Sequence, residues 1–173
     1  SLTYHSEEPE VDHIPELVFS DARYMRYQEG KVSLVLEAAH LEQYREDDAF
    51  YGSQVHFSTY NDEGKLAAEG SSQLISAASS SEVYALLGQV EIKSFEENLI
   101  LQAQSLHWNG KTEQLVTGAS DVMEIKKGTA EGETDSTSIE LTGTGFSASS
   151  VSMDFQFTGP VSGTIYTTTK GVT

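Results

Sequence analysis

Apolar residues recur at every second position through most of the chain. In KVSLVLEA, Val32, Leu34, Leu36 and Ala38 fall on one side. Val55 and Phe57 do so in SQVHFST, and Leu66 and Ala68 in GKLAAEG. Leu86, Gly88, Val90 and Ile92 align in LLGQVEIK. Leu99, Leu101 and Ala103 align in NLILQAQSLHW, where Leu106 and Trp108 follow after a slip of one residue. Ile139 and Leu141 continue the pattern, then Val151, Met153, Phe155 and Phe157, then Val161 and Ile165. A period of two is the mark of a strand with one buried face. The slip in NLILQAQSLHW predicts a bulge or bend near Ser105.

Turn residues separate these runs. NDEGK at 61–65 and NGK at 109–111 read as hairpin turns, the Asn-Gly pair suiting a type I′ turn, and QEGK at 28–31 also reads as a turn. KKGTAEGETDSTS at 126–138 reads as a long exposed hairpin loop. EAAHLEQYREDDA at 37–49 holds helix-favouring Ala, Leu and Glu but continues a strand-like run, so strand is expected there with helix as the alternative. Residues 1–16 are acidic, contain two prolines and have no period, which predicts a flexible leader or tether ahead of a single domain over 17–170. Short strands, hairpin turns and almost no helix predict an all-β antiparallel sandwich, roll or open barrel. LVLEAAHLEQY, LILQAQSLHW and IELTGTGFSAS echo one another, as stacked hairpin units would.

Composition narrows the chemistry. The 173 residues carry 27 Asp+Glu against 10 Lys+Arg, a formal charge of −17, so phosphate backbones are repelled and nucleic acid is not an expected partner. The absence of cysteine excludes disulfides, thiolate catalysis and cysteine zinc sites. No apolar run is long enough to span a bilayer as a helix, and residues 1–16 lack the apolar core of a signal peptide.

No catalytic or cofactor motif stands out. The five histidines form no close-spaced pair, although His40, His56 and His107 could converge across strands. REDDA and NDEG lack calcium-loop spacing, Glu96 and Glu97 fall in a turn, and GTGFSAS fits neither a phosphate loop nor a nucleophile elbow. The expectation is a non-enzyme without cofactors. Gly88, Gly143, Gly145 and Gly159 read as bends or bulges.

The ordered series GQVEI, NLILQAQSLHWNGKTEQLVT, SIELTGTGFSAS and FQFTGPVSGTI, between Gly88 and Tyr166, resembles the LptC family of lipopolysaccharide export. It also resembles the wider OstA-like group. LVLEAAHLEQYREDDAFYGSQVHFSTYNDEGKLAAEG looks like an earlier copy, so the likeness covers about 19–167. The resemblance implies a twisted, open antiparallel β-jellyroll in which two splayed sheets shelter acyl chains. It implies a periplasmic lipid-transfer component that receives lipopolysaccharide or a related glycolipid from an inner-membrane ABC transporter and passes it to a bridge protein. The expected groove residues are Leu34, Leu36, Val55, Phe57, Leu86, Val90, Ile92, Leu99, Leu101, Leu106, Trp108, Ile139, Leu141, Met153, Phe155 and Phe157. The expected partners are a transporter-borne β-jellyroll at the N-terminal edge, near 18–27, and an LptA-like bridge protein at the C-terminal edge, about 151–166. Anchoring is expected through a transmembrane helix or a lipidated cysteine outside these residues. Arg23 and Arg26 are rare positive charges near the first edge, suited to an acidic partner, a lipid phosphate or solvent. The alternative is a non-catalytic cell-surface or carbohydrate-binding β-sandwich, with Trp108, Tyr44 and Tyr51 as the aromatic candidates.

Overall fold

The computed structural model describes residues 14–45, 48–78, 80–128, 135–149, 151–152 and 154–169. Their regular structure is all strand. In chain order it comprises β1 (Leu17–Gln28), β2 (Lys31–Tyr44), β3 (Ala49–Tyr60), β4 (Leu66–Ala78), β5 (Val83–Ser94), β6 (Leu99–Asn109), β7 (Gln114–Val116), β8 (Val122–Gly128), β9 (Asp135–Thr144), β10 (Phe146–Ser149), β11 (Phe155–Phe157) and β12 (Val161–Thr169). All pair antiparallel in one open sheet, which does not close into a barrel. Three of its long strands are cut in two. β7 and β8 both pair with β6, β10 and β9 pair with β7 and β8 in turn, and β11 and β12 pair with β10 and β9. The chain is thus a meander, with β1 at one edge and β11 and β12 at the other.

The two sheets expected from the sequence are two halves of this one sheet. A single line of irregularity crosses every strand and divides it. Between β1 and β2, Ser20 faces His40 and Ala22 faces Ala38, so the line passes Asp21 and Ala39. It continues through Gln54 and Gln73, then between Gly88–Gln89 of β5 and Gln104 of β6. It ends at the interruptions between β7 and β8, between β10 and β9 at Gly145, and between β11 and β12. Asp21, Gln54, Gln89, Gly88 and Gly145 on this line all have positive φ. Such residues turn a strand without ending it. Buried residues three apart flank the line: Ala38 and Leu41, Gly52 and Val55, Ser72 and Ile75, Ala103 and Leu106. An ordinary strand would send one of each pair to the opposite face. The slip seen in the sequence near Ser105 is therefore one instance of a device repeated across the sheet, centred one residue earlier at Gln104.

The halves also fold toward each other. Arg26 of β1 donates from Nη2 to the Tyr84 hydroxyl of β5 at 3.2 Å. Four strand steps of ~4.8 Å would hold these strands about 19 Å apart in a flat sheet. The contact requires one half to lie over the other. Between them sits a core of Ala38, Val55, Ile75, Leu86, Val90, Leu101, Ala103, Leu106, Met123, Ile125 and Phe146. Met123 is 0% exposed and Leu106 1%.

Several local expectations change. The 37–49 segment is strand through Tyr44, and β3 resumes at Ala49. The 126–138 loop is shorter than expected, because Lys126–Gly128 and Asp135–Ser138 extend β8 and β9; residues 129–134 lie outside the described residues. Lys126 stands opposite Glu140 there, an opposite-charge pair that supports the ladder. The type I′ turn falls at Glu29–Gly30, where both residues have positive φ (52° and 79°), and not at Asn109–Gly110. At the latter, a four-residue loop forms between Asn109 and Gln114. The Asn109 side-chain oxygen accepts from the N–H groups of Lys111 and Thr112, and Glu113 takes the left-handed position. Of the expected leader, residues 1–13 lie outside the described residues. Glu16 is already tied to β2, its N–H donating to the Gln43 carbonyl at 2.7 Å and its carboxylate pairing with Arg45.

Candidate functional site

A mostly apolar opening lies between the two halves of the sheet. It measures about 440 Å³ and is lined by Leu34, Leu36, Phe57, Ile75, Leu86, Ile92, Leu106, Trp108 and Leu115. β2, β3 and the later part of β5 supply one wall. β4, the start of β5, and β6 and β7 supply the other. A smaller pocket of about 150 Å³ continues it toward β1, sharing Arg26, Leu34, Leu36, Ile75 and Tyr84 and adding Tyr24, Leu41, Phe50 and Ala77. One side is polar: Arg26, Gln28, Ser33, Thr59 and Tyr60 come from the turn-proximal ends of β1, β2 and β3. The opening is therefore amphiphilic, oily over most of its wall and charged at one rim.

Of the sixteen expected groove residues, the fifteen that are described divide into three groups. Leu34, Leu36, Phe57, Leu86, Ile92, Leu106 and Trp108 line the cleft. Val55, Val90 and Leu101 are buried in the core, and Leu99, Leu141 and Phe157 pack partly buried against it. Ile139 is half-buried on β9, and Phe155 is 43% exposed in a ring cluster with Phe146 and Phe157. Met153 lies outside the described residues. Ile75, Tyr84 and Leu115 join the wall without having been singled out in the sequence. The slip at Gln73 hides Ile75 from the alternation, and Leu115 lies in a strand of only three residues. Tyr84 does alternate with Leu86, which was the available signal.

Arg26 is the charged group of this wall. Burial works against its charge, but hydrogen bonds with Tyr24 and Tyr84 outweigh it and raise the guanidinium above its ordinary pKa. Elsewhere the acidic surface makes local pairs. Arg23 lies 3.7 Å from Glu37, and His56 lies 3.8 Å from Glu69. His40 Nε2 is 3.0 Å from Glu42, whose other oxygen accepts from the Tyr44 hydroxyl at 2.8 Å. The bonds from His40 first and Tyr44 second hold the Glu42 carboxyl below its ordinary range, and the bond to Glu42 pushes the Tyr44 phenol up. Glu96 and Glu97 are engaged by Asn61 and Lys127 in the turn between β5 and β6. Trp108 belongs to the cleft wall, while Tyr44 and Tyr51 meet edge to face at 5.5 Å, so these three rings form no flat sugar-stacking platform. Among the described residues, no helix is long and apolar enough to cross a membrane, and no three His, Asp or Glu groups converge on a metal position.

The chain was also compared with known proteins. A search of the curated proteins returns no match. The family described as lipopolysaccharide-assembly, LptC-related, matches residues 2–161. With that match running over nearly the whole chain, the protein belongs to the LptC-related family, which serves lipopolysaccharide export on the periplasmic side of the inner membrane.

Proposed function

We propose that this chain shelters the acyl chains of lipopolysaccharide, or of a related glycolipid, while the lipid passes from an inner-membrane ABC transporter to a bridge protein. The observation that carries this reading is the apolar cleft between the folded halves of an open sheet. Each methylene kept from water there is worth ~0.8 kcal/mol. Leu, Ile and Phe side chains supply that gain without directional bonds, so a chain can be held and still slide. Photo-crosslinking tests it. A benzophenone side chain at Leu36, Phe57 or Trp108 is expected to form a lipid adduct in cells, and one at Glu91 or Gln102 is not. Adducts at Glu91 and Gln102 alone would overturn the face assignment.

The edges of the sheet fit the same reading. β1 exposes Leu17, Val18 and Phe19, and β12 is exposed along its whole length, including Val161, Ile165 and Tyr166. An unpaired strand edge is a template for another strand. β1 would pair with the transporter-borne jellyroll and β12 with an LptA-like bridge protein. Ile165→Lys is expected to weaken capture of the bridge protein at least severalfold while changing the unfolding free energy by no more than about 0.5 kcal/mol. Pull-down and urea titration read the two effects separately.

A further inference from the structure

The basic side chains of this acidic protein mostly sit beside carboxylates. Arg23, Arg45, Lys65, Lys93 and Lys127 each face one within ion-pair distance. Arg26, Lys31, Lys111 and Lys126 have no carboxylate within that distance among the described residues, and of these four Arg26 lines the cleft. Its guanidinium is bonded with the Tyr24 phenol of its own strand and donates to the Tyr84 phenol across the sheet. That bond joins the two halves of the sheet, from β1 to β5. Gln28, Ser33, Thr59 and Tyr60 stand on the same polar rim.

We propose that Arg26 is an anion-binding position for the phosphate monoester of a bound lipid, kept occupied by Tyr84 while the cleft is empty. This rests on the lipid-carrying reading above and specifies how that lipid is recognised. A guanidinium offers a planar fork of donors that matches two phosphate oxygens at once, whereas a phenol uses one donor and carries no charge. Phosphate therefore displaces Tyr84. The apolar wall meets the acyl chains while the rim meets the head group, so one amphiphile satisfies both. Loss of the Arg26–Tyr84 bond frees β1 from β5, and the halves of the sheet can part around the incoming chains.

The single tryptophan of the chain, Trp108, lies in the cleft wall and reports occupancy by its fluorescence. The experiment titrates the protein with dihexanoyl phosphatidic acid, with dihexanoyl glycerol and with inorganic phosphate. Each is run on wild type, Arg26→Gln, Arg26→Lys and Tyr84→Phe. Wild type is expected to bind the phosphate-bearing lipid about tenfold more tightly than the neutral one. Arg26→Gln is expected to erase that preference, so that the two lipids bind alike. Arg26→Lys keeps the charge without the fork and is expected to retain part of the preference. Tyr84→Phe removes the competitor and is expected to tighten binding of the phosphate-bearing lipid. Equal binding of both lipids by wild type overturns the anion site and leaves the lipid-carrying reading standing. Binding of neither lipid overturns both. If inorganic phosphate alone competes as strongly as the phosphate-bearing lipid, the site serves a free ion and the head-group assignment fails. Should Arg26→Gln fail to fold, the wild-type preference and the Arg26→Lys and Tyr84→Phe responses decide the matter.

Discussion

Position relative to the cleft decides what each apolar residue contributes. Met123 has no exposed surface, so Met123→Ala is expected to cost about 2–5 kcal/mol in urea unfolding, a lost side chain plus an unfilled cavity. Leu34 borders an opening that already exists, and Leu34→Ala is expected to cost about 1 kcal/mol or less, because less transfer free energy and no new enclosed cavity are involved. Alternation alone gives Leu34 and Leu101 the same reading, although one lines the opening and the other lies in the core. The sequence carries their common inward direction. It does not carry how far apart the opposing walls stand, which depends on strands remote in the chain. Arg26 shows the same limit. Its place near the first edge was legible, but its bond to Tyr84 depends on the folding over of the three intervening strands. A smaller electrostatic test concerns Glu42. Its pKa is depressed in the fold, so the stability it lends is present above the unfolded value of ~4.3 and is lost as pH falls through the lower folded value. The stability difference between wild type and Glu42→Gln is expected to shrink across that window, as read by thermal melts at stepped acid pH.

At the scale of elements, the line across the sheet sets the architecture. Asp21, Gln54 and Gln89 hold positive φ without being glycine, so nothing in the residue types announced the bends. What could be read was the phase of the apolar residues: Ala103 to Leu106 is three positions, and so is Ala38 to Leu41. The first was noticed because it sits in a long clean run. The second was obscured by the helix-favouring composition around it. Gly145 was legible as a bend, and its φ of 66° with Thr158 against the site of any Cβ gives the reason. Gly145→Val is expected to destabilise the protein by about 1–3 kcal/mol, measured by urea unfolding, because a branched residue at this φ is strained and has no room. The misplaced type I′ turn has a similar explanation. Asn-Gly permits that turn, but Asn109 uses its side chain to hold the loop in a different form, while Glu-Gly at 29–30 takes the two-residue geometry.

At the scale of the molecule, the meander leaves two free edges and a folded interior between them. The chain has no cysteine, so no disulfide braces it, and cohesion comes from the shared core and the ladders. That interior is uneven along the strand order. Under β2 to β6 it is open enough to hold the cleft, while toward β8 and β10 it is filled by Met123, Ile125 and Phe146. A pipe would be hollow at both ends. This molecule is closer to a berth with a far wall. Under the proposed lipid-carrying function, cargo entering from the β1 side would come to rest, and departure toward β12 would wait until something downstream draws that wall aside. Traffic through such a station would be metered by its neighbour, and an occupied berth would itself block backflow.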